Sequence, residues 1–96
     1  MANDSGGKIV RDIPIINQKG LHARASARFV QTVDKFDAEV AVSRGGETVD
    51  GTSIMGLLML AAGRGSSITV AARGPEAAAA IAASEALCAN RFGEEE

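Results

Sequence analysis

Apolar and polar residues alternate along some stretches of this chain and recur at helical spacing along others. From Lys8 to Ile16, Ile9, Ile13 and Ile15 point one way and Arg11 breaks the run, which predicts a strand. Pro14 cannot donate to a ladder, so this strand belongs at a sheet edge. Ala38, Val40 and Val42 alternate with Glu39, Ala41 and Ser43, the pattern of a half-buried strand. Arg44-Gly45-Gly46-Glu47 reads as a hairpin turn, because two glycines permit positive φ, and Thr48-Val49-Asp50 as a short returning strand. Ser67 to Arg73 is the last strand, with Ile68, Val70 and Ala72 facing the core.

The helical periods fall between these strands. The first helix is predicted from His22 or Ala23 to Lys35, with Ser26, Phe29, Val30, Val33 and Phe36 near one face. Asp50-Gly51-Thr52-Ser53 is a helix-start signal with Ser53 as the best cap. The helix it opens, Ile54 to Ala61, is apolar nearly all round, so one side is buried and the other is a sticky exposed patch. Gly74-Pro75-Glu76 opens a third helix, where Ile81, Cys88 and Phe92 share a face with Ala77, Ala78, Ala82 and Ala89. The order β-α-β-β-α-β-α, with helices between strands on one side of a sheet, predicts an α+β two-layer sandwich. Residues 1–7 are small and polar and expected to be disordered; the domain spans 8–92, and 93–96 reads as a solvated acidic tail.

Composition narrows the function classes. A chain of 96 residues, 46% hydrophobic and 23% charged, fits one folded domain with a modest core. With three Phe and neither Tyr nor Trp, that core is built from aliphatic side chains, and single-stranded nucleic acid would find few stacking platforms. The net charge of −2 also argues against nucleic-acid binding. A single cysteine, Cys88, excludes an internal disulfide, and one Cys with one His argues against a zinc site. No cofactor is called for. The N-terminus lacks the apolar run of a signal peptide and no stretch approaches the length of a membrane span, so the expectation is a cytoplasmic protein.

The chemistry concentrates in Gly20-Leu21-His22-Ala23-Arg24-Ala25-Ser26, which holds the only histidine. A side chain at a first helical turn lies beside unpaired N–H groups and the positive end of the helix dipole, a place suited to a group that carries phosphate. Neutral imidazole is a nucleophile near neutral pH. Arg24 adds a fixed cation for phosphate oxygens, while Asn17 and Lys19 flank the site as loop residues. Ser53 reads first as an N-cap. Ile54, Met55, Leu58 and Met59 read as core on one face and as an adaptable Met-rich surface on the other.

The heptapeptide resembles the Gly-Leu-His-Ala-Arg-Pro-Ala signature of HPr, the histidine-containing phosphocarrier family of the phosphoenolpyruvate-dependent phosphotransferase system. Ser53-Ile54-Met55-Gly56 is similar to a second motif of that family, and the resemblance runs from about Lys8 to Phe92. Phe36 to Val40, Leu57 to Leu60 and Gly74-Pro75 look most like its nitrogen-related NPr branch. The family proline after the arginine is Ala25 here.

The resemblance implies a four-stranded antiparallel sheet with three helices on one face. It implies His22 as phosphohistidine through Nδ1, Arg24 as phosphate stabiliser, Ser53 as a regulatory phosphorylation site, and Ile54, Met55 and Leu58 as docking residues. It implies enzyme I and an enzyme IIA domain as partners, the kinase/phosphorylase of HPr as a further one, a monomer, and a carrier rather than an enzyme. The alternative is a binding module of the same fold that acts through the Ile54/Met55 surface.

Overall fold

The alternating stretches form the predicted sheet, seen here in a computed structural model that describes residues 8–94. The elements run β1 (Ile9–Pro14), α1 (Ala23–Val33), β2 (Glu39–Arg44), β3 (Glu47–Asp50), α2 (Ile54–Met59), β4 (Ser67–Arg73) and α3 (Ala77–Ala89), closed by a short 3-10 turn (Arg91–Gly93). The sheet is antiparallel throughout, in the order β1-β4-β2-β3. Pro14 therefore lies on an edge strand, where its missing N–H costs no ladder bond. Gly45 (φ +58°) and Gly46 (φ +89°) make the two-residue β2–β3 hairpin.

Strand periodicity sorts the two faces. Ile13, Val40, Val42, Ile68, Val70 and Ala72 are buried, and register places Val70 between Arg11 of β1 and Val42 of β2. The opposite face is polar and open: the Thr69 hydroxyl donates to Asp12 at 2.6 Å, and the Ser43 and Thr48 hydroxyls meet at 2.9 Å. The three helices cover the apolar face with Phe29 and Val33 from α1, Leu57 from α2, and Ile81 and Cys88 from α3, all in one core. Burial pushes the Cys88 thiol up to about 12, so it packs as a small apolar group. Among the described residues no helix is long and apolar enough to cross a membrane.

Four expectations change. α1 stops at Val33 rather than Lys35, because the chain tightens: the Lys35 N–H bonds Thr32, three residues back, and the Phe36 N–H bonds Val33. Its buried line is Ala25, Ser26, Phe29 and Val33, with Val30 only half-buried. α2 ends at Met59 rather than Ala61, because Ala61 takes a left-handed φ of +52°. On α3 the buried alanines are Ala77 and Ala80, while Ala78, Ala82 and Ala89 are exposed; Ile81 and Cys88 are buried as expected, but alanine on every side of them does not show which alanines share their face.

The expected acidic tail also differs at its start. Arg91 (φ +54°), Phe92 (φ +56°) and Gly93 (φ +77°) form a left-handed reversal that sends Phe92 fully into the core. Glu94 follows directly, and its side chain is only 15% exposed. The expectation of disorder at 1–7 and of a tail at 95–96 lies outside the described residues.

Candidate phosphate-accepting site

The loop before α1 sets the position of His22. Gly20 sits at φ +66°, and the Leu21 N–H donates to the Ala62 carbonyl at 2.8 Å, which anchors the loop to the segment after α2. Leu21 is buried, and the Ser26 hydroxyl donates back to its carbonyl at 3.2 Å. Asn17, fully buried, donates from Nδ2 to the Gly20 carbonyl at 2.7 Å. The chain thus leaves the core at Leu21 and presents the next residue, His22, at the mouth of the helix.

His22 is the N-cap of α1, with extended φ/ψ of −77° and −176°. Its Nδ1 accepts the Arg24 backbone N–H at 3.2 Å, and its carbonyl accepts the Ser26 N–H at 2.8 Å. Its Nε2 donates to the Glu94 carboxylate. These two contacts assign the neutral ring: the proton sits on Nε2 and the lone pair on Nδ1, toward the helix N-terminus. The ring remains 27% exposed.

Around it opens a cleft of about 510 Å³, lined by Gln18, Lys19, His22, Arg24, Arg28, Gly93 and Glu94. Lys19, Arg24 and Arg28 give this cleft three cations against one carboxylate. Desolvation pushes the Glu94 carboxyl up, but hydrogen bonds from His22 and Asn17, the charge of His22 when its ring is protonated and the charge of Lys19 outweigh it and hold it below the usual carboxylate range. Such a cleft suits a group of higher negative charge than a carboxylate, held at Nδ1 by the helix N-terminus and the guanidinium groups.

The structure brings together His22 and Arg24, as the sequence suggests, and adds Arg28 and Glu94, which sequence reasoning missed. Arg28 stands four residues after Arg24 on α1, a spacing that places both on one side of the helix. Glu94 lies 72 residues from His22 along the chain. Ala25 is fully buried, so its methyl faces the core rather than the cleft.

The second motif forms a neighbouring surface. Ser53 caps α2, its Oγ accepting the Gly56 N–H at 3.0 Å. Beside it, the exposed Thr52 donates from its hydroxyl and its backbone N–H to Asp50, and these bonds hold the Asp50 carboxyl below its ordinary range. Ile54, Met55 and Met59 are exposed at 40%, 68% and 69%. Leu58 is half-buried and gives less surface than expected; Met59 gives more. Neither Ser53 nor these side chains line the His22 cleft, but α2 packs directly against α1.

Residues 9–90 match the family model described as the PTS HPr component phosphorylation site. The chain belongs to the HPr family. It is 54% identical over 86 residues to the phosphocarrier protein HPr of Cupriavidus necator, covering 90% of this chain and 97% of that one. It is 39% identical over 87 residues to the phosphocarrier protein NPr of Shewanella violacea, covering 91% and 96%. The crystal structure of HPr-C-His from Thermoanaerobacter tengcongensis superposes with a TM-score of 0.87 at 38% identity, covering 92% of this chain and 99% of that one. The family is one of phosphocarriers rather than of enzymes with their own turnover.

Proposed function

We propose that this chain relays a phosphoryl group through His22, accepting it from phosphorylated enzyme I and passing it to a histidine of an enzyme IIA domain. The observation that carries the reading is the ring's orientation: Nδ1 faces the N-terminus of α1 with Arg24 beside it, while Nε2 is held by Glu94. In the loading step the Nδ1 lone pair attacks phosphorus in line, the donor's N–P bond breaks, and its electron pair returns to the donor ring. Arg24, with Arg28 and Lys19 at the rim, offsets the charge on the three transferring oxygens. Unloading runs the same displacement with Nδ1 as leaving group. A shallow, open site fits a group that must meet two partners in turn.

The exposed Ile54, Met55 and Met59 serve in this reading as the adaptable docking surface for both. Phosphorylation of Ser53 by the kinase/phosphorylase of HPr would place a dianion at that surface and modulate docking. Similarity to NPr as well as HPr relatives is compatible with output to either a sugar or a nitrogen-related IIA domain. A pulse-chase tests the relay: label from phosphoenolpyruvate, loaded by enzyme I, should move onto added IIA domain and leave this chain. Label that loads but never discharges to any IIA domain would favour a binding module acting through the Ile54/Met55 surface.

A further inference from the structure

Asn17, Glu94 and His22 form a three-member array drawn from the loop before α1 and the end of the chain. Asn17 Nδ2 donates to both carboxylate oxygens of Glu94, at 3.2 and 3.3 Å, and Glu94 in turn accepts from His22 Nε2. Asn17 is fully buried, and its Oδ1 finds no partner among the described residues. A buried amide with an unpaired acceptor costs stability. Such a cost marks a residue kept for what its donor end does. The left-handed run at Arg91, Phe92 and Gly93 is a second local cost with the same result, since it turns the chain so that Glu94 reaches the ring. A Cβ on Gly93 would lie 2.7 Å from an Arg28 nitrogen, so the turn also sits tight against the cleft.

We infer that Glu94 is a positioning residue for phosphotransfer: clamped by Asn17, it holds the proton of His22 on Nε2, so that Nδ1 carries the lone pair, which accepts the Arg24 N–H until phosphorus approaches. The inference rests on the relay proposed above. In loading, the Nδ1 lone pair forms the new N–P bond and the Nε2 proton stays where it is. In unloading, the N–P electron pair returns to Nδ1 and the departing ring is neutral imidazole, because Nε2 has kept its proton against the carboxylate. Without the carboxylate, the neutral ring can carry its proton on Nδ1, and that fraction cannot attack.

The test compares wild type with Glu94→Ala and Glu94→Gln in the full chain. Glutamine keeps a carbonyl acceptor at the same reach. Asn17 is not varied, because it also supports the Gly20 loop. Two readouts are taken: the imidazole tautomer by 15N NMR of the unphosphorylated neutral ring, and the loading rate from enzyme I. Wild type should show a single Nε2–H tautomer. Glu94→Ala should show an admixed Nδ1–H form and load more slowly in proportion to that fraction, an even mixture giving about a twofold loss. Glu94→Gln should recover the tautomer and most of the rate. If rate and tautomer fail to move together, or neither moves in Glu94→Ala, Glu94 is not a positioning residue. If wild type itself does not load while showing the pure tautomer, the relay reading has failed rather than the hydrogen bond.

Discussion

Gly20 and Ala62 lie so close that a side chain at Gly20 is excluded: an added Cβ would stand 2.5 Å from the Ala62 carbonyl oxygen and 2.8 Å from the Gly63 Cα. Both obstacles are backbone, so neither can swing aside. Because the adjoining Leu21 N–H bonds that same carbonyl, this approach fixes the loop that carries His22. Gly20→Ala should cost about 2–4 kcal/mol, from left-handed strain plus the clash, and should slow phosphoryl loading as the loop shifts. Urea denaturation checks the first effect and loading kinetics the second.

Arg24 is exposed and lines the cleft, so its removal should leave the fold intact. Arg24→Ala should lower the loading rate on the order of 100-fold with an unchanged denaturation midpoint, the scale of losing one transition-state donor. Arg24→Lys should recover only part, because a point charge does not replace a planar fork.

Ser53→Ala should separate capping from phosphotransfer. Loss of the bond to the Gly56 N–H should cost about 1 kcal/mol of stability. Phosphorylation at His22 should proceed as in wild type, since Ser53 does not line the cleft. Thermal unfolding and loading assays on one preparation check both.

Phe92 anchors the turn that delivers Glu94. Phe92→Ala should destabilise by about 3–5 kcal/mol, the range for emptying a buried aromatic site. It should also release Glu94 from the ring, read as loss of the single Nε2–H tautomer under conditions where the variant is still folded.

The lowered Glu94 carboxyl gives a signed pH dependence. A depressed acid adds stability above its unfolded value and loses it as pH falls through the folded value. The stability difference between wild type and Glu94→Gln should therefore be full above about pH 5 and close as pH falls below about 4. Urea midpoints across that range check it; a difference independent of pH would contradict it.

What the sequence made legible followed from local rules. Apolar patterning placed β1, β2 and β4, the Gly45-Gly46 turn placed β3 behind β2, Pro14 placed β1 at an edge, and Ser53 marked a cap. His22 and Arg24 stood out because a lone histidine at a helix start is chemically conspicuous. Glu94 was not legible. Its partner is 72 residues away, and nothing in a run of glutamates shows that its first member reaches back to the ring. The turn that delivers it uses left-handed Arg91 and Phe92, residue types that give no turn signal. The α3 alanines failed for a different reason: alanines flank Ile81 and Cys88 on both sides, and tertiary packing selects which of them are buried.

The most direct test of the account is intact-protein mass after incubation with enzyme I and phosphoenolpyruvate, beside His22→Ala, with half of each sample acidified. One added phosphoryl group, lost in acid and absent from the variant, is the expected result. An unmodified wild type beside a competent enzyme I, or a mass increase that survives both acid and the loss of His22, would contradict it.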